Sequence, residues 1–591
     1  MANLSFIQSI ELSVNGFSGD VPPEFGRLHQ LQHLNLSFNA LHGMVPANLA
    51  NCSKLRVLDL GCNQLSGSIP VELGQTLPKL ERLVLFNNSL TGVIPSSIGN
   101  LSSLILLSLM LNNLQGIIPE ELGRLSNLIK FQLAANWLNG PIPPVLFNIS
   151  SLDYFSIAAN QLHGSLPTSL GAKLPKLKKL LLGGNKLSGT IPASLSNASM
   201  LQMIDLRTNK FSGAVPPVFG GMNGLFHLNL GENQFQASDA KDFSFIGSLV
   251  NCSILSLFSV AYNDLGGVLP LSLANFSKEL SILAMGGNHF SGIIPHGIEN
   301  LISLKVMDFT GNDLTGQIPE HIGNLLMLQK LGFADNKLTG YIPSGIGNLS
   351  QLSDFYLKGN KFEGNIPSTM KNLHQLTTLY LSDNSFSGRI PGEIFSQLLS
   401  LRGNLFTGTI PSSLGNLKGL RELNLSDNSL SGGIPSSFSN FKFLEALNLS
   451  NNNLTGSIPD FLEDFKFLSF LDLSYNHFHG ELPVKGVFGN SSAVLSVVGN
   501  GKRPVDERFK DGMTMRKFVE ISASHGRIME VIDPSMFSQE DDDIEHGDIS
   551  VKKKIECLVS VVALGLACSV ESPNARLGMS DVFFWTLRVR G

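Results

Sequence analysis

Residues 107–143 read "LSLMLNNLQGIIPEELGRLSNLIKFQLAANWLNGPIP" and contain the same unit twice, 24 residues apart. Leu107 and Leu109 alternate with Ser108 and Met110, as Phe131 and Leu133 alternate with Gln132 and Ala134. That is the period of a short strand with one buried face. Asn112 and Asn136 follow, then Gly116 and Gly140, then the aliphatic–proline pairs Ile118-Pro119 and Ile142-Pro143.

Outward from this stretch the frame L-x-L-x-x-N-x-L-x-G-x-I-P covers most of the chain. Twenty asparagines, from Asn15 to Asn476, occupy the same place in it. Most steps between them are 24 residues and three are 25, while Asn233 to Asn263 spans 30 and Asn384 to Asn404 spans 20. Nineteen of the twenty units carry the aliphatic–proline pair, and only the one after Asn233 lacks it. Each Asn stands where the chain must turn, so its amide can bond backbone groups the turn leaves unpaired, and twenty in register form an internal ladder. Gly permits the next bend, and proline fixes φ and is expected to start a second extended segment. No unit can bury its apolar face alone. Neighbours must therefore stack into an α/β solenoid of about 20 repeats.

The period with "GxIP" resembles the plant extracellular type of leucine-rich repeat, over roughly residues 1–490. The irregular long repeat, 234–263, falls within "ASDAKDFSFIGSLVNCSILSLFSVAYNDLGGVLPLSLANFS". It is similar to the irregular repeat of the plant receptor-like kinase subfamily that contains receptors for bacterial elongation factor Tu and related microbial signals. The resemblance implies extracellular repeats at the plasma membrane, a peptide or protein ligand, and a co-receptor with a similar repeat ectodomain. The short repeat is 385–404, and the Cys-containing caps usual in that family are not visible at either end.

Composition excludes other classes. The net charge is −5 and 15% of residues are charged, so there is no basic footprint for nucleic acid. Five cysteines give neither a disulfide framework nor metal-ligand spacing, and no cofactor is expected. Cys52 and Cys252, each in "NCS", read as small buried side chains. Sequons suit a glycosylated extracellular array, and the expected acceptors are Asn51, Asn87, Asn100, Asn148, Asn197, Asn251, Asn275 and Asn348. Asn35, Asn424 and Asn448 fall on the strand face, where a glycan would obstruct binding.

Residues 491–500 read as a junction. Beyond it, 28 of 91 residues are charged, against 61 of the first 500. Segment 501–591 resembles the last helices of a kinase C-lobe in "KKKIECLVSVVALGLACSVESPNARLGMSDV", and is expected to be largely helical with a solvated acidic loop at 538–548. In the kinase family, the Arg at the position of Arg576 pairs with a Glu that has no counterpart here. No Gly-rich loop, V-A-I-K lysine, H-R-D or A-P-E occurs, so the chain is expected to have no kinase activity. The N-terminus "MANLSFIQSIELSVNG" reads as no signal peptide, and the 14-residue run Cys557 to Val570 is too short to span a bilayer. A chain translated as written is then expected to stay in the cytosol, unglycosylated.

A solenoid binds on its curved strand face, at positions two and four before each ladder Asn and, in part, the one just before it. Most of the residues that depart from bland repeats occupy those positions. They are Phe86, Met110, Gln132, Tyr154, Asp205, Arg207, Asn229, Glu232 and Tyr262, with Tyr356, Lys358 and Tyr380 further along. Aromatics and Arg are enriched in binding hot spots. The sequence therefore reads as a receptor-type ectodomain for a peptide or protein, without catalysis. The alternatives are a soluble decoy or enzyme inhibitor, and a non-functional gene remnant.

Overall fold

A computed structural model of the 591-residue chain describes residues 6–237, 242–394 and 396–488 and the backbone of 494–496. The expected C-terminal kinase-like segment, its acidic loop and Arg576 lie outside the described residues. Three-residue strands, beginning Ser9–Glu11, His33–Asn35 and Val57–Asp59, recur once per repeat and join one parallel sheet of 21 strands. The last strand, Val494–Ser496, sets Val494 opposite Phe470, so the 24-residue register continues past residue 490 into the stretch read as a junction.

The strand's middle residue and the aliphatic residue two later point inward. Leu107, Leu109, Phe131 and Leu133 are fully buried, and such pairs form one core from Ile10 to Leu473. Phenylalanines in register stack along it, as Phe131 on Phe155 at 5.3 Å and Phe309 on Phe333 at 5.9 Å. Dispersion and burial thus act mainly between repeats.

The asparagine ladder forms as expected. Asn112 Nδ2 donates to Leu85 O of the preceding repeat at 3.0 Å and to its own Leu109 O and Met110 O at 3.1 and 3.2 Å. Its Oδ1 accepts the Leu90 N–H at 3.0 Å. The pattern crosses both irregular steps: Asn263 bonds Leu230 O and the Phe235 N–H, and Asn404 bonds Leu381 O and the Phe386 N–H. Among the described residues Asn15, in the first repeat, bonds only carbonyls of its own repeat.

A second feature is not evident in the repeat formula. The residue just before every ladder Asn is left-handed, with φ between 51° and 69°, and fifteen of the twenty are not glycine. An L-residue there costs about 1–2 kcal/mol. The conformation aims that residue's N–H at the next repeat, as Leu111 N to Ala134 O at 2.8 Å and Ala135 N to Ala158 O at 2.8 Å.

The proline expectation needs correction. The second extended segment precedes the aliphatic–proline pair, as in Lys186–Gly189 and Lys210–Gly213, and forms a side sheet. Proline instead ends it: Pro95, with φ −64° and ψ 131°, caps the 3-10 turn Ser96–Asn100. Having no N–H, it suits a helix start better than a ladder. These turns stack closely, since a Cβ at Gly99 would lie 2.3 Å from Glu121 O. The face opposite the strands is thus built mainly of 3-10 turns, with α-helix confined, among the described residues, to Glu72–Thr76, Leu170–Lys173 and Ser244–Leu249.

Both irregular steps are absorbed away from the strands. The long repeat adds the helix Ser244–Leu249, whose Phe245, Ile246 and Leu249 are buried. The short repeat has no helical turn among its described residues between Ser368–Asn372 and Ser412–Asn416. A groove of about 430 Å³ lined by Met370, Lys371, Glu393 and Ile394 lies there.

Asn336 donates to Phe309 O, Phe333 O and Ala334 O and accepts the Leu314 N–H. Asn336→Ala is therefore expected to destabilise the array by about 3 kcal/mol or more, through buried groups left unpaired. Asn15→Ala should cost about 1 kcal/mol or less, because its bonds are exposed. Denaturant midpoints measure both, and equal losses would refute the ladder's coupling role. Ala135→Gly should raise the midpoint slightly, because relief of the left-handed strain exceeds the entropy cost of glycine.

Candidate ligand-binding face

The strand face is the inner one: strands are spaced by main-chain hydrogen bonds, whereas the 3-10 turns and loops opposite need more room. Strand alternation sends the residues six and four before each ladder Asn outward, followed by those two and one before it. The sequence-based rule omitted the first of these, although period two places it on the same face as the third.

The structure places Phe86, Met110 and Gln132 half-buried on this face in successive repeats, with Phe86 edge-on to exposed Phe38 at 6.1 Å. Tyr154 stands six before its Asn, with Lys179 Nζ 5.4 Å from its ring centre. Asp205 Oδ1 accepts the Arg207 N–H at 3.1 Å, and its Oδ2 is 3.4 Å from Arg207 Nε. Asn229 Oδ1 accepts the Gly231 N–H at 3.1 Å, and Glu232 accepts the Thr208 hydroxyl at 2.8 Å. Tyr262 is 67% exposed and lies against Gly287, where any side chain would collide with its ring. Tyr356 meets Tyr380 edge-on at 5.7 Å, and Lys358 is exposed beside them.

Two clusters emerge. The first joins Tyr154, Lys179, Asp205, Arg207 and His227. His227 has a buried Nε2 without a partner among the described residues, and burial holds its pKa below the usual value; Asp205 opposes that shift and Arg207 adds to it. The second joins Tyr356 and Tyr380 to residues the sequence reading missed. Lys330 Nζ is 2.9 Å from Asp308 Oδ2 and 5.6 Å from the Tyr356 ring centre, and the Tyr356 hydroxyl donates to Asp354 Oδ1 at 3.2 Å. Between the clusters the residues four and two before the ladder Asn are small, Ser259, Ala261, Ala284 and Gly286, and Leu257, Ile282 and the exposed Tyr262 flank them.

Some outward side chains are occupied locally. Asn or Asp four before the ladder Asn accepts the N–H two residues on, as in Asp59, Asp205, Asn229 and Asp308. Asn35, Asn424 and Asn448 do the same and also accept their own sequon Ser hydroxyl at 2.7–2.9 Å. Of the expected glycan acceptors, Asn51, Asn100, Asn148, Asn197, Asn251, Asn275 and Asn348 are exposed at or just past the ends of helical turns, in one register row away from the strands. Asn87 differs. It occupies a left-handed position beside Phe86 at the strand face.

Cys52 and Cys252 are buried free thiols near Phe25 O and Phe219 O, pushed up to about 11 by burial, which leaves them unreactive. Among the described residues no His/Cys/Asp/Glu group is arranged to hold a metal ion, and no helix is long and apolar enough to cross a membrane.

The Leucine Rich Repeat family model matches ten segments of the chain between residues 30 and 465, including 79–101, 303–325 and 443–465. Curated relatives include the receptor kinase-like protein Xa21 of rice, 45% identical over 87 residues, and the receptor-like serine/threonine-protein kinase EFR of Arabidopsis thaliana, 42% over 84. Those matches cover 15% and 14% of this chain and 8% of each relative, so the chain aligns with less than a tenth of their length. Solved structures match far more. The Arabidopsis receptor kinase HAESA, with the peptide hormone IDA and the co-receptor SERK1, is 35% identical at TM-score 0.75, covering 84% of this chain and 83% of that one. PEPR1 with AtPEP1 is 34% identical at TM-score 0.71, over 85% and 76%. With more than a third of its aligned residues shared along most of these ectodomains, the chain belongs to the plant leucine-rich-repeat receptor-kinase ectodomain family.

Proposed function

We propose that this chain is a ligand-binding ectodomain of receptor-kinase type that takes a peptide or protein on its strand face, engages a second repeat ectodomain as co-receptor, and has no catalytic activity. The observation that carries this reading is the pair of aromatic and charged clusters on the strand face, on an array whose row of exposed sequon asparagines lies elsewhere. The relatives support it: HAESA was solved with a peptide hormone and a co-receptor, PEPR1 with AtPEP1, and RGFR1 with RGF2. The irregular repeat points to a microbial source for the ligand. The missing phosphate loop, lysine and catalytic Asp support the absence of kinase chemistry.

Two measurements test the reading. The full chain, secreted behind an added signal sequence and immobilised, is challenged with pools of plant-secreted peptides and of bacterial digests. At least one peptide should be retained, and its affinity should fall about tenfold or more with Tyr154→Ala, Arg207→Ala or Tyr262→Ala, as for central hot spots. Failure of every pool, or indifference to all three changes, would count against the strand face. In the same preparation, glycopeptide mass spectrometry should find the helical-turn row occupied, and enzymatic deglycosylation should leave peptide affinity within about twofold, since surface changes remote from an interface are near neutral. Loss of binding on deglycosylation would move the ligand to the glycan-bearing side.

A further inference from the structure

Resting on that reading, we propose that the strand face at Tyr356 and Tyr380 is a subsite for a basic side chain of the ligand, an arginine or lysine, held on the tyrosine rings and paired with the carboxylate of Glu422. The two rings form an edge-to-face pair at 5.7 Å on adjacent strands, with Tyr356 opposite Tyr380. Both rings are half-buried on this outward face, and an aromatic face attracts a cation. The protein already uses this chemistry on the same shelf: Lys330 Nζ stands 5.6 Å from the Tyr356 ring centre while pairing with Asp308 at 2.9 Å. That occupies one side of Tyr356. Among the described residues Tyr380 has no such cation of its own.

Glu422 begins the strand two along from that of Tyr380. Its side chain is half-buried, yet among the described residues its carboxylate has no hydrogen bond and no ion pair. The neighbouring basic groups are spoken for, Arg402 by Asp427 at 3.0 Å and Arg421 by Glu445 at 3.1 Å. Burial first, and then the negative charge of Glu422, hold the Tyr380 hydroxyl above its ordinary pKa. A partly desolvated carboxylate without a counter-ion is unfavourable until a cation arrives. Asp354, on the first side, accepts from the Tyr356 hydroxyl and the Ser353 hydroxyl, and Asp383 is exposed at the rim. Lys358 is the remaining exposed cation on this shelf and offsets part of that charge. The unpaired excess is acidic around the Tyr380 ring, which selects a cationic guest over an anionic one.

The probe is a fluorescein-labelled Gly-Arg-Gly-Arg-Gly peptide, with a citrulline counterpart that keeps the shape and hydrogen bonds but not the charge. Anisotropy with the full chain should show the citrulline peptide bound about tenfold more weakly, in keeping with a partly desolvated cation–π contact and ion pair. Glu422→Gln and Tyr380→Ala should each weaken the arginine peptide about five- to tenfold, while Glu120→Gln on the opposite face leaves it unchanged. Tyr380→Phe keeps the ring and should retain most of the binding, which separates loss of the shelf from misfolding. Equal affinity of the two peptides, or no effect of Glu422→Gln, overturns the subsite. A ligand recovered from the peptide pools that ignores Glu422→Gln would overturn the subsite and leave the receptor reading standing. An intact arginine subsite on a chain that retains no peptide from any pool would do the reverse.

Discussion

Everything in this molecule hangs on one primary amide per repeat. The side chain of the ladder Asn has two donors and an acceptor, and the turn after each strand leaves unpaired carbonyl and N–H groups from two repeats at once. Asn112 meets groups of both its own and the preceding repeat, so it joins two coils as well as closing one. Asp could accept but not donate, Leu could do neither, and Gln would place the amide one methylene too far. The ladder also explains the left-handed residue before each Asn. Fifteen repeats accept that strain without glycine, because the conformation keeps the main-chain bonds running and hands each amide on to its partner groups.

This constraint decides where variation can occur. Between Asn384 and Asn404 the chain is four residues short of its usual step, and between Asn233 and Asn263 six residues long. In both places the ladder and strand register are unbroken, and the change falls on the side face and the helical turns. A deletion within the strand or its turn would break bonds in two repeats, whereas one in the opposite connection removes a 3-10 turn and opens a groove. The shortened repeat is therefore compatible with an intact array.

The fold was legible in the sequence because its determinants are local and repeated twenty times: alternating apolar residues, the ladder Asn, the bend Gly and the aliphatic–proline pair. Two parts were not. The position of the second extended segment depends on whether proline opens or ends it, and φ restriction alone allows both. The left-handed residue carries only a partial side-chain signature: ten of the twenty are Gly, Asn or Asp, but Ala135, Thr208 and Tyr262 also occupy the site. For the binding face, Tyr356 and Tyr380 stood out as aromatics at outward positions. Lys330 and Glu422 did not, because each begins its strand and looks like an ordinary surface charge until the neighbouring strands are set beside it.

The same local chemistry blurs any list of outward residues. Asp205 and Asn229 are polar and outward, as a contact residue would be, yet each holds the N–H two residues ahead, as do Asp59 and Asp472 in repeats with no other sign of a site. Polarity alone therefore does not separate a contact from a turn. Unpaired capacity does: a half-buried carboxylate with no cation, or a ring face with no neighbour, remains available to a guest after the backbone's demands are met. An array so firmly held by its ladder keeps such groups in fixed positions across many strands. Little ordering is then required on binding, and a peptide laid along the face gains from several modest contacts at once.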